Sequence, residues 1–289
     1  MSTVFTPYPL VAALVKCEDF LGPQRQWRSV DEKQTRFLHE FFAFCREEVQ
    51  DIPEIESVGS YSAEVINAFL RQRRFSIQLT PFPPGDFGTA SVLDLNVTWL
   101  QAGARSRVRT ADRKTFPGIY LKGRGVELLQ LVNHPSYLVK LTTKSEDVVY
   151  LTPLDEAPSE FDLSATIQKL RAQKLRRDQR SYHKGIIFPM VNLDMEIDTQ
   201  WLLGLNTQGD DGLMAIISQA LQQHKFKMNE FGARVKSAAA ISVTRGGPIP
   251  YVINRPFLIW IERPSLSHPL FAGYITPEHW EDPGDLTDM

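Results

Sequence analysis

The side chains best able to do chemistry are scattered along the chain. Six histidines, His39, His134, His183, His224, His268 and His279, include no i,i+4 pair and no His-Glu-x-x-His, the spacings that put metal ligands on one helix face. Cys17 and Cys45 are the only cysteines. They are too few for a disulfide framework, lack the paired spacing of a zinc or thioredoxin-like site, and read as buried thiols. No Gly-rich phosphate cradle and no Gly-x-Ser-x-Gly nucleophile turn occurs. Gly123-Arg124-Gly125 reads as a turn, and Asp210-Asp211, flanked by glycines, as a solvated turn rather than a carboxylate pair. An enzyme would need a triad assembled from distant segments. Two sites remain. Arg171, Lys174, Arg177 and Arg180 follow the apolar stripe Leu163, Ile167 and Leu170, giving a helix with either a solvated basic face or an anion-binding one. Arg245-Gly246 in "TRGGP" is either a plain surface turn or the bond a trypsin-like protease would cut.

Composition narrows the partners. The 289 residues are 43% hydrophobic and 23% charged with a net charge of −2, enough apolar material for a sizeable core and no global reason to meet nucleic acid or a membrane. No apolar run approaches the ~18 residues of a membrane span. The N-terminus lacks a basic region before its apolar run Leu10–Val15, which suggests a cytoplasmic protein without a leader.

The elements that would position any site change character along the chain. Ser29 and Asp31 precede Phe37, Leu38, Phe41, Phe42, Cys45 and Val49 at helical spacing, and Ser60 or Ser62 precedes the stripe Val65, Ile66, Phe69 and Leu70. "TPFPPGDFG", Thr80 to Gly88, is the clearest boundary, beyond which alternation replaces helical period. In "VLDLNVTWL" Leu93, Leu95, Val97 and Trp99 face one side. Further strands are expected at Val126–Val132, Tyr137–Leu141, Val148–Leu151, Gly185–Val191, Pro256–Glu262 and Leu270–Ile275, and a helix at Thr199–Leu205.

Between Lys227 and Phe257 lies an oddly bland segment, "KMNEFGARVKSAAAISVTRGGPIPYVINRPF". It resembles the serpin family, in which a strand and an Asn-Glu-x-Gly turn lead to an alanine-rich hinge, an exposed reactive loop, Asn-x-Pro-Phe and a closing hairpin. "ISQALQQHKFKMNEFG" is similar to the strand and turn, Ala238–Ala240 to the hinge, "VTRGGPIPYVI" to the loop and "NRPFLIWIERPSLSHPLFAGYI" to the closing hairpin. Upstream, "GIIFPMVNLDMEI" is similar to the family's strand with an internal proline, and "VLDLNVTWL" to its central-sheet strand ahead of the gap.

The resemblance implies an α+β, serpin-like fold of mixed sheets with a reduced helical subdomain. Residues 1–88 would form a helical part and 89–289 the β-rich core, with a reactive-loop-like segment at 233–253. It also implies a suicide-substrate protease inhibitor rather than an enzyme, with no cofactor and no metal. The scissile candidates are Arg245 and Gly246. The hinge would comprise Gly232, Ala233, Val235, Ser237, Ala238, Ala239 and Ala240, whose small side chains suit insertion into a sheet. The partner would be a protease or another protein. Three departures favour the alternative, a non-inhibitory binding or scaffold protein. Arg234, Val235 and Lys236 stand where the family hinge is small or acidic, Gln222-Gln223 where a His-Lys pair guards the sheet, and the N-terminal half is short.

Overall fold

The computed structural model describes residues 1–174, 183–233 and 249–286. β1 (Thr3–Phe5) runs through Thr6 into α1 (Pro7–Lys16), with proline at the first helical position, where its missing N–H is no loss. One turn, α2 (Glu18–Leu21), follows. α3 (Glu32–Phe37), a π-turn at Leu38–Phe42 and α4 (Ala43–Glu48) continue as one helical run. Its start is capped by Asp31, whose carboxylate accepts the Gln34 N–H at 2.8 Å. Of the predicted stripe Phe37, Phe41, Phe42, Cys45 and Val49 are buried, and Leu38 is half-buried.

β2 (Ile55–Ser60) and α5 (Ala63–Gln72) come next, α5 starting after Ser62. Val65, predicted to be buried, is exposed. The buried line is Ala63, Ile66, Asn67 and Leu70, the i, i+3, i+4, i+7 set of a helix packed along one narrow face on β2 and its partner.

Twelve strands and one helix then follow up to the hinge. They are β3 (Gly88–Leu93), β4 (Val97–Thr98), β5 (Ala104–Arg109), β6 (Thr115–Leu121), β7 (Val126–Gln130), β8 (Tyr137–Thr142), β9 (Val148–Pro153), α6 (Glu160–Arg171), β10 (Ile186–Pro189), β11 (Val191–Ile197), β12 (Asn206–Gln208), β13 (Met214–Ile216) and β14 (Gln222–Met228). With β15 (Gly232–Ala233) the chain reaches the hinge, and β16 (Tyr251–Val252), β17 (Phe257–Glu262) and β18 (Phe271–Ile275) complete it.

An antiparallel six-stranded sheet has the order β1-β18-β17-β9-β8-β7. The closing hairpin pairs as the sequence predicts, Phe257 opposite Ile275 and Ile261 opposite Phe271. Phe257, Ile259 and Ile261 face one core cluster while Leu258 and Trp260 face another lined by α1, α3, α4 and α6. Burial on both faces is why "FLIWI" is continuously apolar. β1 joins the outer edge of this sheet and β2 pairs with β3, so the segment before residue 88 supplies strands as well as helices.

A second sheet has the order β16-β10-β6-β5. The predicted strand Gly185–Val191 ends early, at Pro189, and the chain then crosses into β11, which pairs along its whole length with β14. Pro189 has no N–H to extend the first ladder. "VLDLNVTWL" is likewise interrupted, between Leu93 and Val97, so β3 and β4 pair with different partners. The predicted helix Thr199–Leu205 is only a 3-10 turn at Gln200–Leu202. Leu203 is extended and Gly204 has φ +85°, which stops a helix.

Candidate functional site

The site begins with the alternation in "QQHKFKM". Gln222, His224, Phe226 and Met228 point inward from β14, while Lys225 and Lys227 are half-exposed. The first inward residue, Gln222, donates its amide to Thr6 Oγ1 at 3.2 Å. Thr6 Oγ1 also lies 3.3 Å from His224 Nδ1. Burial lowers the His224 pKa to about 3, so the ring is neutral.

Among the described residues β14 pairs only with β11, and β3 only with β2, so each has one edge without a described partner. Both strands line the same cavity, of about 890 Å³, and α1 contributes Leu10, Ala13 and Leu14 to its wall. Two strand edges therefore face each other across an apolar slot. On the outside the slot is crossed by the segment from Phe75 to Phe82, which lines it as well.

That strap is held by side-chain amides. Gln223 Oε1 accepts the Ser76 N–H at 2.8 Å, Gln219 Oε1 accepts the Thr80 N–H at 2.8 Å, and Asn67 Oδ1 accepts the Leu79 N–H at 2.8 Å. Gln223 is itself steadied by Asp194, 2.6 Å from its Nε2. Among the described residues no backbone hydrogen bond joins the strap to β14. The strap can be lifted without breaking a ladder.

Beyond the last slot-lining residues on each side, Leu95 and Lys227, β15 pairs with β4, with Gly232 opposite Thr98 and Ala233 opposite Val97. Here the Asn-Glu-x-Gly turn is fixed in place. Trp99 donates its indole N–H to the Asn229 carbonyl at 3.0 Å and its backbone N–H to Phe231 O at 3.1 Å. Glu230, buried, accepts from Arg105 Nε at 2.7 Å. Gly232 has φ +145°, and a Cβ there would sit 2.1 Å from the Val97 carbonyl oxygen. Only glycine allows this approach.

Of the hinge predicted from the sequence, Gly232 and Ala233 lie in β15, paired with β4. Val235, Ser237, Ala238, Ala239 and Ala240 lie outside the described residues, as do Arg245, Gly246, Arg177 and Arg180. Arg171 pairs with Glu262 at 2.5 Å across from α6, and Lys174 is exposed. Arg171 is thus tied to β17 rather than left open to an anion. Among the described residues no group of three or more His, Cys, Asp or Glu could hold a metal, and no helix is long and apolar enough to cross a membrane. Burial pushes the Cys17 thiol, on the slot wall, up to about 11.

Sequence reasoning missed the strap and the Thr6 contacts. The only signal was the inward–outward period of Gln222 to Met228, which shows that Gln222 faces the core and Gln223 the strap. Trp99 was read as a core residue without its bond to Asn229.

The fold, α+β with mixed sheets, is serpin-like, as the solved structures that it resembles show. Among similar solved structures are human thyroxine-binding globulin, 13% identical over 94% of this chain and 91% of that one with a TM-score of 0.56, and the mouse protein-Z dependent protease inhibitor, 12% identical over 95% and 90% with 0.56. Tengpin, a thermophilic serpin in its native state, is 13% identical over 95% and 88% with a TM-score of 0.55. No family model and no curated protein sequence matches the chain.

Proposed function

We propose that this protein is a non-catalytic, suicide-substrate inhibitor of a serine or cysteine protease. A protease cuts the loop that follows Ala233, with Arg245–Gly246 as the scissile bond. The freed hinge then inserts between β3 and β14, dragging the acyl-enzyme with it. The observation that carries this reading is the pair of strand edges, without a partner among the described residues, that line one slot, with Ala233 six residues beyond the slot-lining Lys227. A strand entering there gains two ladders of hydrogen bonds and buries its inward face, the free-energy source that insertion needs.

The rival is a non-inhibitory binding protein on the same core. It is favoured by one feature: β15, the start of the predicted hinge, is already paired with β4. The solved structures of this fold include both a complex with thyroxine and a protease inhibitor, so the fold supports either.

One experiment separates them. The protein is incubated with trypsin-like, subtilisin-like and papain-like proteases and run on a denaturing gel, and the singly cut product is melted. An inhibitor gives an adduct that survives SDS, and its cut form melts well above the intact one. Ala239→Pro, which removes a ladder donor, abolishes that gain. A cut protein with an unchanged or lower melting point and no adduct is the binding protein.

A further inference from the structure

We infer that the outer edge of β5 is a docking site for an extended acidic polypeptide segment. In "ARSRVRTADRK" the residues Arg105, Arg107 and Arg109 fall at every second position of β5, and all three are exposed. They share one face of the strand, about 7 Å apart. Arg113, held at φ +68° in the turn between β5 and β6, and Lys114 are exposed next to them in the chain.

The charge is local, since the whole chain carries a net charge of −2. Arg105 is neutralised by Glu230 and Asp282, and Lys114 by Asp112. Arg107, Arg109 and Arg113 form no ion pair with any described residue. Two like charges about 7 Å apart in water repel by roughly 0.6 kcal/mol, a cost that an anionic partner removes. All three row positions are arginine rather than lysine, and the planar fork of arginine is the group that takes a carboxylate bidentately.

The free edge decides which anion fits. Among the described residues β5 pairs with β6 alone, and on its other edge, where Asn254 already takes the Arg109 carbonyl, the remaining N–H and C=O groups have no strand partner. Another polypeptide backbone satisfies these, whereas a sulfated polysaccharide or a nucleic acid does not. A strand added there repeats its side chains at the same period of two. Carboxylates at alternate positions of the partner therefore meet the arginines in register. The site also borders the segment that returns from the loop, because Asn254 donates to the Arg109 carbonyl at 3.3 Å.

The test uses the intact protein and a fluorescein-labelled peptide of four Thr-Glu repeats, read by anisotropy. Saturable binding is expected, weakened at least about tenfold by Arg107→Glu with Arg109→Glu. Both positions are exposed, so the double variant should keep its melting temperature. A Thr-Lys peptide should not bind. The same acidic peptide, N-methylated at alternate residues to block one ladder, should lose most of its affinity. Equal binding of the N-methylated peptide, or tighter binding of a heparin fragment or oligo-dT of the same charge, would overturn the strand-addition reading. So would no binding at low salt. No protease is involved, so failure here leaves the inhibitor proposal untouched.

Discussion

β17 and β14 are strands of similar length that meet their surroundings in opposite ways. β17 has a partner on each side, β9 and β18, and apolar cover on both faces. Among the described residues β14 has one partner and an open edge, and its outward side chains are Gln223, Lys225 and Lys227. The difference teaches where this molecule is finished and where it is held unfinished. "FLIWIE" can lower its free energy only by being enclosed. "QQHKFKM" lets polar side chains hold a strap across the slot, so its edge stays unpaired without burying bare apolar surface.

The contrast can be broken by substitutions in each region, starting with the closed sheet. Phe257, fully buried, should cost about 3–5 kcal/mol when changed to Ala, measured by denaturant unfolding. A loss below ~1 kcal/mol would mean that the closed sheet is not the stable half.

Acid should act next, on the face beneath the split sheet. His224 is neutral in the fold, with a pKa lowered by burial to about 3, against an unfolded value near 6.5. The unfolded chain therefore binds its proton first. Stability from this residue is complete above pH 6.5 and declines as pH falls toward 3, by up to about 4 kcal/mol. Burial lowers His134 and His268 in the same direction, adding to the slope. His224→Gln should flatten the curve between pH 6 and 4, and an unchanged slope would remove His224 as its source.

A smaller loss is expected at the β4–β15 pair. Gly232→Ala drives a Cβ into the Val97 carbonyl at a backbone angle that disfavours side chains, and should cost at least about 2 kcal/mol while opening the β4–β15 pair. Smallest of all, Gln223→Leu frees the strap from one side-chain acceptor, at about 1 kcal/mol. Its sharper readout is kinetic. After loop cleavage the variant should reach its high-melting form faster than the wild type, and an equal rate would show that the strap does not gate the slot.

Much of the closed sheet was legible in the sequence because its signals are local. Asp31 capped its helix, alternation marked β8, β9 and β18, and Asn254-Arg255-Pro256-Phe257 led into the predicted hairpin. The split sheet was harder, because whether a strand has one neighbour or two depends on segments far away in the chain. Nothing in Gly88–Leu93 or Gln222–Met228 says that they face each other across a cavity. The strap was hidden for the same reason: Ser76 and Gln223 meet across 147 residues of sequence. Val65 and Thr199–Leu205 misled because helical spacing says which residues share a face, but not how wide the covered face is or where a glycine ends the turn.

The unpaired edge of β14 also leaves a signature in time. Its backbone amides alternate in direction, so every second one is bonded to β11 and those between point at the slot. In deuterium oxide the strand should exchange as a comb, slow and fast amides alternating along one continuous element. A new strand entering the slot would fill in the fast teeth. The occupancy of the slot could then be followed residue by residue in an intact chain.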